Sequence, residues 1–126
     1  MGLDITITKK KDYSYTVDLK GSIDTETHDQ LEDELREIID ENTRAVVLNM
    51  SGVSYLSSIG IRVIIWAQKE LTKRNATFGM VDLQPQITKI FEVMKILPLV
   101  NIFDDMEEAD KYIDQIIQEE IKKQGS

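Results

Sequence analysis

The sequence predicts an α/β fold in which an N-terminal β-hairpin joins a mostly parallel sheet of four to five strands, with about four helices in the order ββαβαβα(β)α. Three observations carry this expectation. Two stretches near the N-terminus alternate apolar and polar residues at the period of a half-buried strand. Later apolar runs are each separated by a segment with helical spacing, which makes those strands parallel, because a parallel neighbour is reached through a crossover. No repeat, low-complexity stretch or Pro/Gly-rich linker divides the 126 residues, so a single domain over 1–126 is expected, with an ordered core of about 3–121 and a frayed tail at 122–126.

Leu3, Ile5 and Ile7 alternate with Asp4, Thr6 and Thr8, and Tyr13, Tyr15, Val17 and Leu19 alternate with Ser14, Thr16, Asp18 and Lys20. Separated only by Lys10 to Asp12, these strands form a hairpin with one polar face for solvent or a partner. Gly21-Ser22-Ile23-Asp24 breaks the alternation, and Asp24 is placed to cap a helix reaching about Asn42, with Leu31, Leu35, Ile38 and Ile39 inward. Asp29, Glu32, Asp33, Glu34, Glu37, Asp40 and Glu41 give that helix an acidic outer side, where His28 is also expected. Ala45 to Met50 reads as a central strand, and Ser51 to Ser57 as a polar connection. Ile59 to Arg74 is then a heavily buried helix and Ala76 to Leu83 a strand. Pro85 opens a helix that Pro98 stops, with Ile87, Ile90, Phe91 and Met94 at helical spacing. Trp66 and Met94 are both expected in the core. Leu99 to Phe103 is a short extended piece before a last helix with Met106, Ala109, Ile113, Ile116, Ile117 and Ile121 inward.

Composition narrows the function. Fifteen basic against 23 acidic residues leave a net charge of −8, which disfavours nucleic acid as a partner, and Lys9-Lys10-Lys11 is too short to reverse that. The chain has no cysteine, so disulfides, thiolate catalysis and cysteine-based metal sites are excluded. The longest apolar run, Val63 to Ala67, is far short of a membrane span. No secretory signal is visible, and a cytoplasmic location is expected. Met1 to Thr6 formally fits a myristoylation pattern but reads as strand.

Catalytic patterns are missing: His28 is the single histidine, and no phosphate loop, dinucleotide fingerprint or nucleophile elbow occurs. The acids at Asp104, Asp105, Glu107, Glu108 and Asp110 lack calcium-loop spacing and fit the start of a helix. A non-enzymatic domain with no cofactor and no metal is therefore expected. Attention falls on Ser57 and Ser58, two hydroxyls between a central strand and the helix that follows, at the sheet edge where α/β proteins present ligand surfaces. Helix capping alone accounts for serines in this position. Arg62 argues for more, because a cation near a helix N-terminus is disfavoured by the dipole, and it stands at i+4 from Ser58. Its partner could be a phosphate on Ser58, Asp24, another acid, or a carboxylate of a second protein.

Gly21-Ser22-Ile23-Asp24, Val47 to Val53, Tyr55 to Arg62, and Ile102 to Ala109 together resemble the STAS domain family, and more narrowly the bacterial anti-sigma factor antagonists. The resemblance spans nearly the whole chain. It implies a binding protein that sequesters an anti-sigma factor, itself a serine kinase, and so frees a sigma factor. The kinase then phosphorylates a serine at the start of the second helix, and a PP2C-type phosphatase restores it. The family motif usually reads Asp-Ser-Ser/Thr-Gly-Leu-Gly. Here Ser57 stands for the Asp, Ser58 takes the phosphorylated position (with Ser57 as the alternative), Ile59 replaces the next hydroxyl, Gly60 matches, and Arg62 replaces the final glycine. Asp24, Ser57, Ser58, Ile59 and Arg62 are thus the expected partner-binding residues, on a monomer or weak dimer that does not insert into membranes.

Other readings remain open at this level. One is a STAS accessory or scaffold subunit of a transport, lipid-trafficking or stress-sensing complex. Another is a receiver-like phosphotransfer domain, which needs a carboxylate where Asn49 and Met50 stand.

Overall fold

A computed structural model describes residues 2–124. Its strands are β1 (Leu3–Lys9), β2 (Ser14–Ile23), β3 (Ala45–Leu56), β4 (Thr77–Val81) and β5 (Asn101–Phe103). The helices are α1 (His28–Ile38), α2 (Ser58–Lys73), α3 (Pro85–Val93) and α4 (Met106–Gln124). The sheet runs β1-β2-β3-β4-β5 in simple chain order, with β1 antiparallel to β2 and every later pair parallel. This is the expected ββαβαβα(β)α architecture. The tight hairpin sets the antiparallel pair, and each helical crossover returns the chain to the next position in the same direction.

The alternation of side chains along β3 assigns the two faces. Val46, Leu48 and Met50 enter the larger core, where Leu31 and Leu35 of α1, Ile64 and Leu71 of α2, and Ile87 and Phe91 of α3 pack. Ala45 and Val47 face the other way, under Ala109, Ile113 and Ile117 of α4. Three helices therefore cover one face and α4 the other. The helix α4 runs through Lys122 and Lys123 to Gln124; Gly125 and Ser126 of the expected frayed tail lie outside the described residues.

Four local expectations are corrected. The segment Ser51 to Ser57 is not a loop: β3 continues to Leu56, and β2 continues beside it to Ile23, through Gly21 and Ser22. Two bulges interrupt the ladder here: Asp18 pairs with Asn49 but Lys20 with Gly52, leaving Met50 and Ser51 opposite Leu19 alone, and Gly21 pairs with Val53 but Ser22 with Tyr55, leaving Ser54 over. Gly52 is required there, since a Cβ would lie 2.7 Å from the Leu19 carbonyl oxygen. Second, α1 starts at His28 and stops at Ile38, and His28 is half-buried with Nδ1 3.3 Å from an Asp29 carboxylate oxygen. Third, Met94 is 50% exposed. The helix α3 ends one residue before it, the chain turns at Lys95 with φ +57°, and Ile96 takes the buried place instead. Fourth, Ile121 is exposed, whereas Ala109, Ile113 and Ile117 form the buried stripe of α4. Trp66 does pack against the larger core, and the Arg36 guanidinium lies 4.4 Å from its ring centre.

Candidate functional site

The carboxyl ends of β2 and β3 meet at one place. Ile23 pairs with Leu56 in the last rung of the ladder, and the Ser57 amide then donates to the Ile23 carbonyl at 2.9 Å. That bond fixes where β3 ends. Ser57 has extended backbone angles, and its hydroxyl oxygen accepts from the Gly60 amide at 3.3 Å, so Ser57 is the N-cap of α2. The helix begins on the next residue, Ser58.

Gly60 lets the helix come this close. A Cβ at that position would lie 2.7 Å from Ile23 Cγ2, 2.8 Å from the Ile23 carbonyl oxygen and 2.8 Å from Leu56 Cδ1. The first turn of α2 is pressed directly onto the ends of β2 and β3, and this settles the division of labour between the adjacent serines. Ser57 is half-buried and committed to its cap, whereas Ser58 is exposed and its hydroxyl takes no hydrogen-bond partner among the described residues.

Ser57 shares an open hollow with Ser22, Asp24, Thr25, Glu26 and Tyr55. Asp24 does not cap α1 directly. Its carboxylate accepts from the amides of Glu26 at 2.9 Å and Thr27 at 3.2 Å, holding the turn that leads into the helix. Thr27 completes this turn: its hydroxyl donates to the Ser22 carbonyl at 2.7 Å and accepts from the Asp24 amide at 3.0 Å. Asp24 is therefore brought beside Ser57, in a conformation that two backbone amides define.

Ile59 is half-buried at the start of the helix, and Arg62 is exposed one turn after Ser58. Arg62 makes no hydrogen bond, ion pair or ring contact among the described residues. It is thus not the partner of Asp24 or of any other described acid. Tyr55, 53% exposed, belongs to this surface and escaped the sequence reading. No simple alternation signals it, because the bulge at Ser54 leaves Ser54 and Tyr55 both exposed between buried Val53 and Leu56.

The acids before α4 have a structural role of the kind their position suggested. Asp105 accepts from the Glu108 amide at 3.0 Å, and the Glu108 carboxylate accepts from the Asp104 amide at 3.2 Å, which is a reciprocal helix cap.

Residues 5–109 match the STAS domain family. The chain belongs to that family. BtrV of Bordetella bronchiseptica, named as an anti-sigma factor antagonist, is 30% identical to this STAS domain over 91 residues, covering 72% of this chain and 78% of that protein. Among solved structures, an anti-sigma factor antagonist from Mycobacterium paratuberculosis superposes with a TM-score of 0.80 at 19% identity, covering 89% of this chain and 94% of that one. The phosphorylated form of the Bacillus cell fate determinant SpoIIAA does so with a TM-score of 0.69 at 15% identity, covering 86% and 99%. At those identities the structural likeness establishes the fold of this STAS domain. The sheet order, the helix pressed onto it at Gly60 and the exposed hydroxyl of Ser58 are features of this chain's own geometry.

Proposed function

We propose that this STAS domain is an anti-sigma factor antagonist, switched by phosphorylation of Ser58. The observation that carries the reading is the state of that hydroxyl: exposed, without a hydrogen bond among the described residues, and on the first residue of a helix anchored by the neighbouring serine. Relatives named as antagonists support the protein class. In the unmodified state the surface formed by Asp24, Tyr55, Ser57, Ser58, Ile59 and Arg62 binds an anti-sigma factor that is also a serine kinase, and the sigma factor is released.

Switching off is a phosphoryl transfer. The Ser58 oxygen bonds to the γ-phosphorus of ATP, the bond from that phosphorus to the bridging oxygen breaks, ADP leaves, and the hydroxyl proton passes to a base on the kinase. A PP2C-type phosphatase reverses the state by hydrolysis, in which water replaces the serine oxygen on phosphorus and inorganic phosphate departs. The phosphate adds about −1.5 to −2 charges. The helix N-terminus accommodates that charge, so the fold persists while an interface built around a neutral hydroxyl loses complementarity.

Incubation with the anti-sigma factor kinase of the same organism and ATP, followed by peptide mass spectrometry, tests the reading. Phosphate is expected on Ser58, in the wild-type protein and in Ser57→Ala alike. A peptide unmodified at both serines would sink the switch.

A further inference from the structure

Arg62 stands one turn into α2, where the helix dipole gives a cation no support. The backbone dipole places partial positive charge at the start of α2, and the first turn holds no acid to offset a guanidinium. Other arginines are committed: Arg36 to Glu32 and the Trp66 ring, Arg44 to Glu120, Arg74 to Glu70. Arg62 is exposed and has none of these attachments among the described residues. A cation that fold stability does not need, with its donors unspent, is suited to an anion that arrives later.

Helical geometry identifies where that anion sits. Ser58 and Arg62 are separated by about 40° around the helix axis, whereas Ser57 and Arg62 would be separated by about 140°. An acid four residues before a base is the favourable orientation of such a pair. A phosphate also offers the planar guanidinium two oxygens for parallel charge-assisted hydrogen bonds.

We infer that Arg62 is the intramolecular clamp for a phosphate on Ser58, tying down the one arginine of the docking surface when the switch is off. The inference rests on Ser58 being the acceptor proposed above. Without phosphate, the first turns of α2 present a neutral hydroxyl and a free guanidinium, which fits a partner carboxylate. With phosphate, the guanidinium is occupied within the chain and the local charge falls from +1 to between about −0.5 and −1. The modification thus subtracts a docking cation as well as adding an anion. The two effects act in the same direction on an acidic partner surface.

The experiment needs no kinase, so its result is separable from the proposed function. Phosphoserine is incorporated at position 58 during translation, and the phosphate is titrated by 31P NMR in the otherwise wild-type chain, Arg62→Gln and Arg62→Lys. Arg62 favours the dianion, so the second ionisation is expected about 0.2–0.4 lower in the wild-type chain than in Arg62→Gln, with Arg62→Lys between them. Phosphoserine incorporated at position 57 is expected to titrate alike with and without Arg62. Thermal melts of the unphosphorylated variants should coincide with the wild type. Identical titrations of position 58 with Arg62 and with Gln, or an equal dependence at position 57, would overturn the clamp, whatever the kinase does.

Discussion

At the scale of single residues, the site depends on three neighbours with separate duties. Gly60 sets how closely α2 approaches the sheet, and an added methyl meets the Ile23 backbone as well as side chains. Gly60→Ala is therefore expected to destabilise the domain by about 1–3 kcal/mol, measured by urea unfolding. Ser57→Ala removes the cap on the Gly60 amide and is expected to cost about 1 kcal/mol in the same assay. Ser58→Ala touches no internal hydrogen bond and should leave the unfolding midpoint close to wild type. The pair Ser57 and Ser58 was legible in the sequence as a junction between strand and helix. Their separate roles were not, because capping depends on backbone angles that adjacent identical residues cannot reveal. Arg62 was legible as a cation close to a helix N-terminus, but only the fold could show that no described acid reaches it.

At the scale of elements, the sequence is most legible where one period rules. Val46, Leu48 and Met50 alternate cleanly, and Leu31, Leu35 and Ile38 mark one helical stripe. Errors came where the period was interrupted. Bulges before Gly52 and at Ser54 break the alternation of β3 twice, so its outer half imitates a polar loop. Met94 obeys the spacing of α3 but lies beyond its last turn. The single helix on the far face offers a direct test of the layer arrangement. Ile113 is buried there with Ala45 and Val47, so Ile113→Ala is expected to cost about 2–5 kcal/mol, seen as a lower urea midpoint.

The C-terminal end of α2 carries a pH-dependent contribution. Hydrogen bonds from Lys73 and Arg74 hold the Glu70 carboxyl below its ordinary value of 4.5. A carboxyl with a depressed folded-state pKa stabilises the fold above the unfolded value and loses that contribution as the pH falls through the folded one. Glu70→Gln is expected to lower Tm slightly at neutral pH. The two melting curves should approach one another as the pH falls from about 4.5 and meet below the lowered folded-state value, where the wild-type carboxyl is neutral like the amide. A difference that persists in acid would mean that packing, not charge, distinguishes the two side chains.

At the scale of the whole molecule, a net charge of −8 coexists with a proposed docking surface whose Arg62 has no partner among the described residues. Most of the acid lies elsewhere, on the outer side of α1 and in the cap of α4, while Asp24 and Glu26 stand in the hollow beside Ser57, so a phosphate on Ser58 would reverse the sign of the first turns of α2 alone. Under the proposed switch, that arrangement would let one phosphate alter binding without altering the fold. The fold itself rests on Gly60, the Ser57 cap and two cores, none of which involves the Ser58 hydroxyl. Isothermal titration of the anti-sigma factor kinase into the unmodified protein and into the same protein carrying phosphoserine at position 58 tests this most directly. Specific binding of the unmodified form is expected, with a loss of at least about 30-fold on phosphorylation and no change in thermal stability. Equal affinity of the two forms, or no binding by the unmodified one, would contradict it.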